Sequence, residues 1–217
     1  MARVVVLPSP LLGPLPYQPL AEALRRRGHA ASVAECPEPL SAAGVVEGWA
    51  AVAAGADALL AHSNAGYLAG SVAAAAEVGR VVYVDAALPP VAGTTRLAPP
   101  ELIATLTELA DPSGLLPPWT RWWSEEEARR VLPGVWFDRV DAVAPRVPLA
   151  YLASEHRPPS GWVGQRAGYL AFGTTYAAEL ELARDAGWPV AQLAGHHCWH
   201  LVRPDEVAAA VEPWLSR

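Results

Sequence analysis

The chain contains no lysine, and its 217 residues include only two cysteines, one methionine and two phenylalanines. Without lysine, Schiff-base catalysis and the phosphate-binding loops that depend on a lysine ammonium are excluded. Cys36 and Cys198 cannot build a disulfide scaffold, so a reducing, cytoplasmic setting is the expectation. The opening Met-Ala-Arg-Val-Val-Val-Leu-Pro holds too short an apolar run for a secretion signal. No apolar run approaches the roughly 18 residues needed to span a membrane. Positive charge is also scarce: 16 arginines against 22 acidic residues leave a formal charge of −6. Arg25-Arg26-Arg27 is the only basic cluster and reads as the solvated end of a helix. Neither a nucleic acid nor a membrane is therefore expected as a partner.

Apolar residues, by contrast, make up 52% of the chain and charged ones 18%, against about 25% charged in an average domain. That excludes a disordered chain and supplies a core. At about 150 residues per domain, one domain over residues 1–217 is expected. The 22 prolines show no Gly-X-Y period and point to many fixed turns.

Short β-branched runs alternate with alanine-rich helical stretches. Residues 3–7, 30–34, 57–62 and 80–85 read as strands. Residues 18–27, closed by Gly28, and 65–78, stopped by Gly79, read as helices between them. Residues 96–146 contain no convincing strand and read as a helical insertion, with a capping box at Ser124–Glu127 and a helix over 101–110. Strands at 147–153, 167–172 and 189–193 follow, with helices at 176–186 and 204–215. This pattern predicts an α/β fold with a doubly wound, mostly parallel sheet, flanking helices and a helical cap.

Ser63 lies between a strand and a helix, in Ala61-His62-Ser63-Asn64-Ala65. A sharp strand-to-helix turn lifts such a hydroxyl out of the sheet and aims helical N–H groups at whatever is bonded to it. Alanines stand where the G-x-S-x-G pattern has glycines. The plainer alternative is that Ser63 only caps the helix. Near the other end, Gly195-His196-His197-Cys198 precedes the helix that begins at Pro204.

Together, the Ser63 turn, the histidine loop with its following Arg-Pro-Asp-Glu, and the first strand with its helix resemble the α/β-hydrolase family. The resemblance covers most of the chain and implies a Ser…acid…His triad. It points to His197, seven residues before Pro204, as the base. His196 is the alternative. His200 reads as packing, and the three histidines lack the acidic spacing of a metal site, so no metal or other cofactor is expected.

The family commonly places its acid after the penultimate strand, but here Gly173-Thr174-Thr175-Tyr176 has no carboxylate. Asp85, at the end of the strand after the serine strand, is the first choice, and Glu155 the alternative. The oxyanion loop also departs from the pattern. In Leu7-Pro8-Ser9-Pro10-Leu11, neither proline has an N–H. The Asn64 N–H is one expected donor, with the Leu11 N–H or the Ser9 hydroxyl as the second. The family's first two strands are missing, which makes this a shortened, atypical version of the fold.

Trp119, Trp122 and Trp123 in the insertion, together with His62, are expected to wall a pocket for a small hydrophobic acyl or carbonyl substrate. Three readings remain open: a serine hydrolase of esters or thioesters, a cyclase, lyase or proton-transfer enzyme using the same pocket, or a silent binding domain. Cys198, beside His197, reads as a buried structural thiol rather than a reactive one.

Overall fold

The computed structural model describes residues 1–215. Six strands, β1 (Arg3–Leu7), β2 (Ala30–Val33), β3 (Ala58–Ser63), β4 (Arg80–Ala86), β7 (Arg166–Phe172) and β8 (Val190–Leu193), form one sheet in the order β2-β1-β3-β4-β7-β8. Every pairing in it is parallel. The central strands are buried runs, as a sheet covered on both faces requires: all six residues of β3 are buried.

Between the strands run α1 (Gln18–Arg26), α2 (Ala42–Ala53) and α3 (Gly66–Ala75), with α8 (Ala177–Asp185), α9 (Trp199–Val202) and α10 (Pro204–Val211) later in the chain. Leu20, Ala21, Ala23 and Leu24 of α1 are buried while Glu22, Arg25 and Arg26 face solvent. The arginine triplet is taken up by ion pairs to Glu22, Asp205 and Glu212. Helix α1 packs on α9 and α10, and α2 packs on α3. The expected C-terminal glycines Gly28 and Gly187 have positive φ, but α3 ends differently. Glu77, not Gly79, takes the left-handed position there, with φ 55°.

Helices α2, α6 (Trp136–Asp141) and α7 (Leu149–Ala153) are among the elements that differ from the sequence expectation. Helix α2 carries Gly44, Gly48 and paired valines, which depress helix propensity. Ser41 Oγ accepts the Gly44 N–H at 3.1 Å, and burial of Val45, Trp49 and Ala53 at four-residue spacing fixes the helix. The stretch at 147–153, expected to be a strand, is instead helix α7 (Leu149–Ala153). Strands β4 and β7 pair directly, from Arg80↔Arg166 to Val84↔Leu170, so the sheet leaves no slot between them. A short apolar run does not by itself distinguish strand from helix. Helix α6 (Trp136–Asp141) was not anticipated either.

Residues 95–156 contribute nothing to the six-stranded sheet. They hold α4 (Pro100–Leu109), α5 (Glu125–Val131), α6 and α7. The expected capping box is present: Ser124 Oγ accepts the Glu127 N–H, and the Glu127 carboxylate accepts the Ser124 N–H. At the base of this segment β5 (Thr95–Arg96) pairs antiparallel with β6 (Glu155–His156). His156 Nε2 lies 3.1 Å from Ser71 Oγ of α3, which ties that base to the sheet layer.

The connections reverse direction between β1 and β3, so a crevice opens at the carboxyl ends of these strands. There the turn after β3 is packed to the limit. A Cβ added at Gly66 would lie 2.0 Å from the Ala87 carbonyl oxygen and 3.0 Å from the Ala86 Cβ. The backbone contact expected at Ala61 and Ala65 thus falls on Gly66. Gly66→Ala should lower stability by more than about 3 kcal/mol, at the top of the overpacking range. Gly79→Ala, where nothing lies within 4 Å, should stay within about 1 kcal/mol of wild type. Urea denaturation of the two variants checks this, and equal losses would show that the contact carries no such cost.

Candidate active site

Ser63 ends β3 with φ 57°, a left-handed conformation that a non-glycine residue adopts rarely. The strain points its hydroxyl out of the sheet rather than along it. Helix α3 begins three residues later, at Gly66, so its amino end faces the same point. Next to it, β4 carries an irregularity: His62 pairs with Val84 but Ser63 pairs with Ala86, which leaves Asp85 as an extra residue. Asp85 has φ 41° and is fully buried. A bulge of this kind re-aims a side chain at a strand end. The Tyr169 hydroxyl braces it, donating to the Ala86 carbonyl at 2.6 Å.

The re-aimed carboxylate meets the loop after β8. Asp85 Oδ2 lies 2.7 Å from His197 Nδ1, and Asp85 Oδ1 accepts the Phe172 N–H at 2.8 Å. His197 Nε2 lies 2.9 Å from Ser63 Oγ. A carboxylate accepts, so His197 carries its proton on Nδ1 and presents the bare Nε2 to the serine hydroxyl. That arrangement lets the imidazole take the hydroxyl proton while the carboxylate stabilises the resulting imidazolium. Ser63 and Asp85, from the ends of two adjacent strands, and His197, from the loop after β8, are therefore brought together.

The alternatives are not. Glu155 is exposed on β6, and its backbone pairs with Arg96 in the cap ribbon. His196 turns away to meet Trp199 edge-on at 5.2 Å. Burial pushes the Cys198 thiol up to about 12, consistent with an inert structural residue.

The expected oxyanion donors are only partly available. Ser9 is buried, and its hydroxyl accepts the Leu11 N–H at a long 3.4 Å. It does not line the cavity, whereas Leu11 does. The Asn64 side chain is held at both ends: its amide donates to the Leu97 carbonyl at 2.5 Å, and its oxygen accepts from the Tyr151 hydroxyl at 2.8 Å. This pins the serine turn to the cap.

A cavity of about 480 Å³ opens over Ser63 and His197. Trp119, Trp122 and Trp123 all line it, with Leu102 and Val131 from cap helices. Trp119 and Trp123 pack edge to face at 4.8 Å, and Trp119 lies 6.5 Å from the His197 ring. His62, expected on the pocket wall, does not reach it. It is buried behind His197, because its position on β3 points into the core between β1 and the histidine loop.

The sequence reading missed Tyr176, Tyr67, Glu127 and Glu179, which also line the cavity. Tyr176 sits in the turn searched for a carboxylate, and its ring lies 5.6 Å from that of His197. Burial raises the Glu179 carboxyl above its usual range. No arginine lines the cavity among the described residues.

No family model matches this chain, and no curated protein matches it by sequence. Solved structures do match it along nearly its whole length. An extracellular α/β-hydrolase from a Paenibacillus species, described as sharing structural and functional homology with tobacco salicylic acid binding protein 2, superposes with a TM-score of 0.80. Identity to it is 15%, and the match covers 98% of each chain. The pyrethroid hydrolase PytH gives a TM-score of 0.70 at 17% identity, over 99% of this chain and 97% of that one. A variant of tomato methylketone synthase I complexed with β-ketoheptanoate gives 0.59 at 11% identity, over 98% and 97%.

Two buried histidines behind the site make a prediction about acid. Burial keeps His62 neutral far below the ordinary imidazole value and lowers His200 to about 3. On unfolding, each regains a pKa near 6.5 and binds a proton below it. Their contribution is thus fully present above about pH 6.5 and is lost as pH falls below it. Each should tilt stability by up to about 1.4 kcal/mol per pH unit between about pH 6 and 4. His200→Phe should remove one such slope in urea titrations across that range. An unchanged slope would mean that His200 is protonated in the folded chain.

Proposed function

The chain has the α/β-hydrolase fold, and on it we propose a serine hydrolase that cleaves an ester, thioester or related acyl bond of a small hydrophobic substrate. The observation that carries this reading is the continuous line from Ser63 Oγ through His197 to Asp85, at 2.9 and 2.7 Å, opening into an aromatic cavity. Ser63 attacks the acyl carbon while His197 Nε2 takes its proton. Asp85 holds the imidazole in the productive tautomer, and the Asn64 N–H stabilises the developing oxyanion. His197 then returns the proton to the leaving alkoxide or thiolate, leaving an acyl-serine. Water, deprotonated by the same imidazole, releases the acid.

The cavity's charge narrows the substrate. Glu127 and Glu179 line it and no arginine does, so an acyl group bearing its own carboxylate is disfavoured and a neutral one is favoured.

A second reading rests on a specific observation. Pro8 and Pro10 supply no N–H, and the Leu11 N–H is directed at Ser9 Oγ, so the second oxyanion donor of an acyl transferase is weak. Loss of one such donor costs about 10²–10³ in rate. The same imidazole could instead move a proton next to a substrate carbonyl, as a lyase or cyclase requires, without an acyl-enzyme.

A fluorophosphonate probe separates the two. We expect a single label, located on Ser63 by mass spectrometry, that disappears in His197→Ala. Asp85→Asn should slow hydrolysis of a p-nitrophenyl ester about 10⁴-fold, as loss of the orienting carboxylate does elsewhere. A folded protein that takes no label would exclude the acyl-enzyme route and leave proton transfer by His197. Among p-nitrophenyl esters of equal chain length, neutral acyl groups should exceed ω-carboxylated ones at least tenfold in kcat/KM. Glu179→Gln should narrow that gap, and equal rates in the wild type would remove the charge argument.

A further inference from the structure

We propose that His62 is a positioning residue. Its buried imidazole ties the loop after β1 to the backbone of His197 and so sets where the His197 ring stands over Ser63. The inference rests on the roles given to Ser63 and His197 above, and it concerns three hydrogen bonds in which neither side chain takes part.

Those bonds form one directed chain. The Ser9 N–H donates to the Tyr17 hydroxyl oxygen at 2.9 Å. The Tyr17 hydroxyl and His62 Nδ1 are 2.9 Å apart. His62 Nε2 is 2.8 Å from the carbonyl oxygen of His197. A carbonyl only accepts, so Nε2 must carry the His62 proton. The bare Nδ1 must then accept the Tyr17 O–H, whose oxygen is free to accept from Ser9. Every donor and acceptor has one assignment, and His62 is neutral in it. Ser9, Tyr17 and His62 are each buried, so no water competes for these groups.

The groups packed around His62 fit this assignment. Its ring stacks on His197 at 4.6 Å and meets His200 at 4.3 Å, while Tyr17 stacks on His200 at 4.8 Å. Among the described residues, neither ring nitrogen of His200 has a hydrogen-bond partner, so it fills space and leaves the polar connection to His62. Among the described residues, the hydrogen-bond partners of the His62 ring are the Tyr17 hydroxyl and the His197 carbonyl, not a carboxylate.

The geometry matters because His197 sits in a loop rather than a regular element. Its carbonyl is held by a side chain from β3, the strand that carries Ser63. Residues 62 and 63 therefore grip the two ends of His197: one its main chain, the other its Nε2. A misplacement of about 1 Å at such a contact costs roughly 10²-fold in rate.

The test compares His62→Phe, which keeps a ring but loses both hydrogen bonds, with His62→Gln, whose amide can accept from Tyr17 and donate to the His197 carbonyl. With a neutral p-nitrophenyl ester, His62→Phe should lower kcat about 100-fold with KM within about threefold of wild type. His62→Gln should recover at least tenfold of that loss. A Gln variant no faster than the Phe variant, or a loss that falls in KM rather than kcat, would overturn the proposal.

Nitrogen-15 NMR of histidine-labelled protein at pH 7 reads the relay without any reaction. We expect His62 as the Nε2–H tautomer alone, with a tautomer mixture in Tyr17→Phe. The Nδ1–H tautomer, or no change in Tyr17→Phe, would overturn it. Tyr17→Phe also serves if His62→Phe fails to fold, with an expected kcat loss of about tenfold. If wild type turns over no ester and takes no fluorophosphonate, the hydrolase reading fails, and the tautomer measurement alone decides whether the relay exists.

Discussion

One surplus residue at the end of β4 sets the geometry on which the site depends. A parallel strand in unbroken register would put Val84, Asp85 and Ala86 opposite His62, Ser63 and the residue after it. Instead Asp85 is squeezed out of register in a left-handed conformation. Its carboxylate then reaches sideways, over the neighbouring β7, to the loop after β8. Aspartate is one of the few residues that tolerates this backbone. Burial of the carboxylate requires that its oxygens be satisfied, and the Phe172 N–H and the His197 ring do so. The contact between Asp85 and His197 and the strand irregularity are thus one feature.

Much of this was legible in the sequence because the signals are local. The buried β-branched runs at 3–7 and 80–85 and the Ser63 turn depend on residues within a few positions of each other. Asp85 was the first choice because it ends the strand beside that of Ser63, although Glu155 stayed open as the alternative. What could not be read depends on partners far along the chain. The stretch at 147–153 is a helix because β4 and β7 already pair. His62 is buried against the loop of His197, 135 positions away, whose carbonyl lies 2.8 Å from its Nε2. Its place beside the serine suggested a residue of the pocket wall instead.

The first loop shows a different kind of failure. Pro8 and Pro10 remove N–H groups, and from the sequence that looks like damage to an anion site. In the structure the same segment folds into a tight turn on Ser9, whose carbonyl accepts from Leu12 and Gly13 at 3.0 and 3.2 Å. Its remaining N–H is handed to Tyr17. The prolines lock a loop that serves as an anchor for the core behind the site.

The cap is joined to the sheet layer through the two-residue ribbon of β5 and β6 and the contact of His156 with Ser71. Its two ends leave and re-enter the body side by side. Closing a longer loop from such a base costs little, about 0.6 kcal/mol for each doubling of its length. The segment between Leu97 and Tyr151, whose Leu97 carbonyl and Tyr151 hydroxyl hold the Asn64 side chain, can therefore change length at little entropic cost while those two anchors stay in place. The cavity wall formed by Trp119, Trp122 and Trp123 thus belongs to the part of the chain whose length is least constrained, while Ser63, Asp85 and His197 belong to the sheet and its carboxyl-end loops.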